Sequence, residues 1–91
     1  MEKVKITVSG RVQGVGFRYM TKIVADKLKI KGLVRNLADG SVYMEAVGTK
    51  ENMALFIKAV KASPSPSGKV ENFSMEKDDT LPDYEKFKVV L

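Results

Sequence analysis

The residues best suited to chemistry lie in a glycine-rich segment near the N-terminus. Gly10, Gly14 and Gly16 are followed closely by Arg18. Gly14 and Gly16 allow the backbone to curl so that several amide N–H groups converge on one phosphate-sized anion. The Arg18 guanidinium can fold back over the loop and donate two parallel hydrogen bonds to a phosphoryl group. A tight turn followed by a solvated arginine is an alternative that these residues alone leave open.

The composition excludes most other catalytic designs. The chain contains no cysteine and no histidine, which removes disulfides, thiolate nucleophiles, Ser-His-Asp triads and metal sites built on these ligands. No Lys-Ser or Lys-Thr pair follows the glycines, and no third glycine stands three residues after Gly16, so the Walker and dinucleotide motifs are absent. We therefore expect neither ATP nor NAD as a ligand, and no metal site built on cysteine or histidine.

The charge is uneven along the chain. Residues 1–35 carry a net charge of +7, whereas residues 36–91 carry −2. A basic half attracts anions, but it does not distinguish nucleic acid from a small phosphorylated metabolite, and a solvated lysine-rich surface would look the same.

The length of 91 residues predicts a single domain spanning residues 1–91. No apolar run approaches the roughly 18 to 20 residues that cross a bilayer, and Lys alternates with apolar residues where a signal peptide would be continuously apolar. We expect a soluble, cytoplasmic monomer that does not associate with membranes.

Elements must position the glycine segment. Alternating Val4, Ile6 and Val8 predict a first strand, after which residues 10–16 form a loop. A helix begins at Phe17 and should end at Gly32. Its apolar face is predicted to consist of Phe17, Met20, Ile23, Val24 and Leu28.

Residues 33–91 are predicted to contain one further helix and four further strands. Residues 33–37 and 42–47 are predicted as strands joined at Asp39-Gly40, a dipeptide typical of a type I′ turn with positive φ at both positions. Thr49 is expected to cap a second helix, which buries Met53, Phe56, Ile57 and Val60. A Ser-Pro loop at 63–68 precedes a strand around Phe73 and Met75 and a last strand around Phe87 and Val89.

The element order β-α-β-β-α-β plus a fifth strand predicts a ferredoxin-like α/β sandwich of the α+β class. Its mostly antiparallel sheet should carry both helices on one face. This fold hosts enzymes, RNA-binding modules and metabolite sensors, so topology does not decide the function.

Four segments together resemble the acylphosphatase family. They are VQGVGFR at 12–18, GLVRN at 32–36, DGSV at 39–42 and YEKFKVV at 84–90, so the resemblance extends over the whole chain. It implies hydrolysis of the carboxyl-phosphate anhydride bond of a small acyl phosphate without metal or cofactor. By position, Arg18 corresponds to the family's phosphate-binding arginine and Asn36 to its water-orienting asparagine. The backbone amides that correspond to the family's phosphate cradle are those of Gln13, Gly14, Val15, Gly16 and Phe17.

This chemistry is compatible with the missing histidine. A carboxylate leaves without protonation, so positioning and electrostatic stabilisation of the phosphoryl group can carry most of the catalysis. Asn36 would hold a water in line with the leaving oxygen, but an amide is not a useful base, and the sequence does not show where the water's proton goes.

Three other functions remain open from the sequence. An RNA-binding module of the same topology could stack bases on Phe17, Tyr19 and Tyr43, although residues 41–47 hold one aromatic and an acid where the RNA-recognition pattern is basic and aromatic. A relative of the domain that processes carbamoyl phosphate in hydrogenase maturation would differ in substrate. A regulatory domain could bind phosphate without turnover.

Overall fold

The computed structural model describes all residues 1–91 as five strands and two helices. In chain order they are β1 (Glu2–Arg11), α1 (Phe17–Lys27), β2 (Lys31–Asn36), β3 (Val42–Gly48), α2 (Lys50–Lys61), β4 (Lys69–Lys77) and β5 (Phe87–Val90). The predicted element order is therefore confirmed. Neither helix is long and apolar enough to cross a bilayer.

The strands form one sheet in the order β4-β1-β3-β2-β5. All neighbouring pairs are antiparallel except β2 and β5, which run in parallel. The expectation of a mostly antiparallel, ferredoxin-like sheet is confirmed. Because β1 and β2 are both antiparallel to β3, the strands β1, β2 and β5 share one direction, and their carboxyl ends lie at the same edge.

One face of the sheet is buried under both helices. Helix α1 packs on β2 and β5, and α2 packs on β3 and β4. The alternation that predicted β1 and β3 puts the same residues in the core, each at most 1% exposed: Val4, Ile6, Val8, Val42, Met44 and Ala46. Burying each larger side chain stabilises the fold by roughly 1.5 to 3 kcal/mol. Phe56 of α2 meets Phe87 of β5 edge to face, with 6.1 Å between ring centroids, and so joins the second helix to the edge strand.

Helix α2 begins as predicted. The Thr49 hydroxyl accepts a hydrogen bond from the Asn52 N–H at 3.1 Å. Met53, Phe56 and Val60 are buried, and Ile57 is half-buried.

The buried face of α1 agrees only in part with the predicted one, since the half-buried Val24 and Leu28 pack against the core as expected. Phe17 is buried, but Thr21 and Ala25 are the other fully buried residues, whereas Met20 and Ile23 are only half-buried. The helix thus turns its small residues to the sheet, which lets the two layers approach closely. The cost is a Thr21 hydroxyl with no hydrogen-bond partner.

The predicted end of α1 at Gly32 is wrong. The helix ends at Lys27, and Lys29 takes the left-handed conformation with φ 56°. The N–H groups of Ile30 and Lys29 donate back to the carbonyls of Ala25 and Asp26 at 2.8 and 3.3 Å, the pattern of a Schellman cap. Gly32 instead lies within β2, where a Cβ would stand 1.8 Å from the Glu45 carbonyl oxygen.

Two loop predictions also change. Strand β1 continues through Arg11 with a bulge at Ser9/Gly10, so the connection to α1 is shorter than the expected 10–16. The turn at Asp39-Gly40 is not type I′, because Gly40 has φ 94° but Asp39 does not have positive φ. The Leu37 N–H bonds the Ser41 carbonyl at 2.9 Å and closes a three-residue loop with glycine in the positive-φ position.

Candidate functional site

The connection from β1 to α1 is the centre of the site, and we call residues 13–17 the glycine loop. Gly14 and Gly16 have φ of 76° and 77°, the left-handed region that side chains other than glycine adopt at a cost. A Cβ built on either glycine would meet no atom within 4 Å, so these positions require glycine for the backbone angle and not for space.

The backbone amides of this segment are unpartnered. None of the N–H groups of residues 13–19 donates a hydrogen bond within the protein, and the first helical bond runs from the Met20 N–H to the Gly16 carbonyl at 3.0 Å. Helix α1 has no side-chain cap and no acidic residue in its first turn. A run of free donors at the positive end of a helix is suited to bind an anion.

Arg18 adds a cation at the same place. It is the second residue of α1, and its Nη1 donates to the Val90 carbonyl of β5 at 3.0 Å. The guanidinium forms no ion pair in the protein. One hydrogen bond therefore orients the group while its remaining N–H donors stay available to a ligand.

Asn36 approaches from the neighbouring strand. It is the last residue of β2 and lies on the helix side of the sheet, in register with the buried Val42 of β3. The residue is exposed, and its carboxamide makes no hydrogen bond in the protein. The carboxamide is thus free to hold a ligand or a water.

The structure brings Arg18, Asn36 and the glycine loop together around one cavity of about 170 Å³. Its wall contains the predicted Gly14, Gly16, Phe17, Arg18 and Asn36. Three residues that the sequence reasoning did not assign complete it, namely Val12, Tyr19 and Val89. Tyr19 is 65% exposed, unlike the buried Phe17, and gives the rim an aromatic surface. An aromatic residue on the solvent side of the first helical turn was the only sequence signal for it.

Gln13 and Val15 do not line the cavity. The Gln13 carboxamide instead donates to the carbonyls of Leu37 and Ser41, both at 2.8 Å. It thereby joins the glycine loop to the β2–β3 hairpin, next to Asn36. Sequence reasoning assigned Gln13 only a backbone amide and missed this side-chain contact, since no local pattern predicts a bond between residues so far apart in the chain.

The backbone of Val15 is held by a residue outside the β2–β3 hairpin. Its carbonyl accepts a hydrogen bond from the Ser65 hydroxyl at 2.5 Å, and Ser65 is only 3% exposed. Ser65 belongs to the Ser-Pro loop at 63–68, which the sequence presented only as a connection.

The two tyrosines with clearly raised pKa values, Tyr43 and Tyr84, lie away from the cavity, on the face of the sheet that the helices do not cover. Glu45 accepts hydrogen bonds from the hydroxyls of Tyr43 and Tyr84. Burial, together with the Glu45 carboxylate, raises the pKa of Tyr84 to about 12 and raises that of Tyr43 as well. Arg35 stacks on the Tyr43 ring, 5.1 Å from its centroid, so this neighbour of Asn36 points to the opposite face.

In the turn between β2 and β3, the Ser41 hydroxyl and N–H hold the pKa of the Asp39 carboxyl below its usual value. These bonds stabilise the turn that follows Asn36. The cavity wall itself contains neither a carboxylate nor a lysine.

Comparison with known proteins finds a family that matches the chain. The chain matches the family model described as Acylphosphatase over residues 4–89. It is 52% identical over 90 residues to a protein named Acylphosphatase from Enterococcus faecalis, with 99% of both chains covered.

Solved structures agree with the sequence relatives. The crystal structure of acylphosphatase from Bacillus subtilis superposes with a TM-score of 0.94 at 41% identity, over 100% of both chains. An acylphosphatase structure from Coxiella burnetii gives 0.90 at 31% identity, covering 98% of this chain and 92% of the other.

Proposed function

Because the chain belongs to the acylphosphatase family and is thus an enzyme that hydrolyses acyl phosphates, we propose that the glycine loop, Arg18 and Asn36 carry out this reaction. The observation that supports the assignment is the run of free amides at residues 13–19, which meets Arg18 and Asn36 around one cavity. Arg18 forms no ion pair there, and the cavity wall contains no carboxylate.

The glycine loop and Arg18 bind the phosphoryl group. The free N–H groups at the start of α1 donate to its oxygens, and the Arg18 guanidinium donates in parallel and neutralises charge. Since the Val90 carbonyl already orients Arg18, little side-chain entropy remains to be lost when the substrate binds. These donors are preorganised for the charge that spreads over the phosphoryl oxygens in the transition state.

Asn36 orients the attacking water. Its carboxamide is neutral, reaches the cavity from β2 and has no partner in the protein, so it can accept from a water while that water faces phosphorus. The water oxygen forms the new P–O bond as the bond to the acyl oxygen breaks. The carboxylate leaves with the bonding electron pair and needs no proton, while one proton of the water passes to the phosphate product or to solvent.

The proposal includes metal-independent turnover of a small acyl phosphate by a cytoplasmic monomer that needs no cofactor and binds no nucleic acid. The cavity wall contains neither a carboxylate nor a lysine, and none is needed to protonate the leaving group, because a carboxylate leaves as an anion.

Release of inorganic phosphate from benzoyl phosphate or acetyl phosphate, with EDTA present, tests the assignment. Arg18→Ala should weaken phosphate binding and lower kcat/KM together, whereas Asn36→Ala should mainly lower kcat. Arg35→Ala is the matched control, since Arg35 adjoins Asn36 but stacks on Tyr43 on the other face, and it should retain activity. Full turnover by folded Arg18→Ala or Asn36→Ala protein would contradict the proposed roles. Phosphate binding without turnover by the intact protein would support a regulatory domain instead.

A further inference from the structure

The Ser-Pro loop contacts the glycine loop through one buried polar bond. Ser65 is 3% exposed, and its hydroxyl donates to the Val15 carbonyl at 2.5 Å. No other group in the protein donates a hydrogen bond to that carbonyl. Because the two buried groups satisfy each other, breaking this bond would leave both without a partner, and the bond therefore holds the carbonyl in one direction.

The orientation of the Val15 carbonyl fixes the next amide. The peptide bonds of the chain are all trans, so the C=O and N–H of the Val15–Gly16 peptide point in opposite directions. Directing the carbonyl to Ser65 therefore directs the Gly16 N–H away from the Ser-Pro loop. Gly16 lines the cavity, and its N–H has no partner in the protein.

The glycine loop alone would not fix this peptide. Glycine populates positive and negative φ with similar ease, so Gly16 permits the Val15–Gly16 peptide to rotate by about half a turn. A rotated peptide would present a carbonyl oxygen where an anion needs a donor. The Ser65 bond stabilises the orientation that offers the N–H.

Ser65 is itself held in place. Its own carbonyl accepts from the Ser63 hydroxyl at 2.8 Å and from the Gly68 N–H at 3.0 Å. A Cβ on Gly68 would stand 2.6 Å from the Ser63 hydroxyl oxygen and 3.1 Å from the Arg11 carbonyl oxygen. The loop is thus closely packed against the end of β1, from which the glycine loop departs.

We propose that Ser65 is a positioning residue of the phosphate site, which acts through the Val15–Gly16 peptide and does not touch the substrate. This inference rests on the proposed function of the glycine loop. It assigns the Ser-Pro loop a role in setting the affinity for the phosphoryl group.

The test compares Ser65→Ala with Ser67→Ala, an exposed serine of the same loop whose hydroxyl forms no hydrogen bond. Ser65→Cys is a second variant that fills the site with a slightly larger side chain but offers only a weak donor, in case the smaller alanine does not fold. The probe is inorganic phosphate, titrated by NMR with the Gly16 amide proton observed, and the same samples are assayed for turnover and thermal stability.

Ser65→Ala should bind phosphate roughly fivefold more weakly, the factor expected when one ordinary hydrogen bond no longer holds the binding conformation. The downfield shift of the Gly16 amide on phosphate binding should shrink, and kcat/KM should fall by a similar factor. Ser65→Cys should lie between Ser65→Ala and the unchanged Ser67→Ala. A merely structural serine would lower the melting temperature but leave phosphate affinity and the Gly16 shift unaltered in the folded fraction.

The experiment distinguishes failure of the Ser65 role from failure of the proposed function. If the intact protein binds phosphate and turns over substrate, but folded Ser65→Ala and Ser65→Cys keep its phosphate affinity and Gly16 shift, the positioning role is wrong and the proposed function stands. If the intact protein neither binds phosphate nor turns over acyl phosphates, both are overturned.

Discussion

Replacing Gln13 with alanine removes the two hydrogen bonds that join the glycine loop to the β2–β3 hairpin. Each is 2.8 Å long and ends on a backbone carbonyl in a partly buried setting, that of Leu37 or that of Ser41. An internal hydrogen bond contributes about 1 kcal/mol net, so the loss amounts to about 2 kcal/mol of unfolding free energy. In a domain of this size that lowers the melting temperature by roughly 8 to 16 °C.

The same substitution should affect catalysis. Leu37 follows Asn36 directly, so the Gln13 bond restrains the strand end that carries the carboxamide to which we assign water orientation. A displacement of about 1 Å at such a group can cost as much as about 100-fold in rate. We expect kcat of Gln13→Ala to fall by more than phosphate affinity does, because Arg18 and its Val90 contact are left intact.

Thermal unfolding and steady-state hydrolysis of benzoyl phosphate, measured well below the variant's melting temperature, check both effects. Asn72→Ala is the control, because the exposed Asn72 carboxamide makes only a 3.2 Å bond to the Ser9 hydroxyl. Its stability should stay within about 0.5 kcal/mol of the intact protein. A Gln13→Ala protein with the melting temperature and kcat of this control would refute the reasoning.

Three further outcomes are expected. Thr21→Val should raise the free energy of unfolding by about 1 to 2 kcal/mol in urea titrations. The reason is that it replaces a buried, unpartnered hydroxyl with a methyl group of similar shape. A destabilised variant would contradict this expectation. Burial of the phenol, together with the Glu45 carboxylate, raises the folded-state pKa of Tyr84 to about 12, above its unfolded value of about 10. Its contribution to stability is therefore fully present below about pH 10 and is lost as pH rises to about 12. Urea titrations below and within this window should show a smaller pH dependence for Tyr84→Phe, and an unchanged one would argue against the contact. Tyr19→Ala should raise KM for benzoyl phosphate more than for acetyl phosphate, since Tyr19 supplies the exposed aromatic part of the cavity rim; equal changes would exclude an acyl contact.

Much of the fold follows from side-chain periodicity. The alternation at Val4, Ile6 and Val8 and the helical spacing of Met53, Phe56 and Val60 each reflect burial on one face, and burial dominates the energetics of these elements. The end of α1 shows where this reasoning stops. A glycine usually takes the left-handed cap position, but here Lys29 does, because backbone bonds to Ala25 and Asp26 are satisfied there and Gly32 is required where β2 approaches β3.

The centre of α1 shows a second limit. Periodicity selects large apolar residues, so Met20 was expected inside, whereas close contact between the helix and the sheet favours the smaller Thr21 and Ala25. The distance between two layers is a property of the whole packing, and no local pattern in the chain reports it.

Some residues of the candidate site can likewise be predicted from the sequence, and others cannot. The glycine loop and Arg18 can be predicted because residue type and position relative to a helix start already indicate anion binding. Asn36 has no local signal that separates it from an ordinary turn residue, and only the family resemblance indicated it. Gln13 and Ser65 form side-chain bonds to distant backbone carbonyls, and these contacts become visible only once the strands are paired.

The sheet topology explains why these distant segments meet. With β1, β2 and β5 running in one direction, three carboxyl ends share one edge, and each supplies a different part of the cavity. The glycine loop leaves β1, Asn36 ends β2, and the Val90 carbonyl near the end of β5 orients Arg18. A carbonyl at a strand end accepts from a cation at low cost, while the free N–H groups at the start of α1 favour an anion beside it. The fold thus holds Arg18 between a carbonyl that orients it and a cavity whose free backbone donors favour an anion.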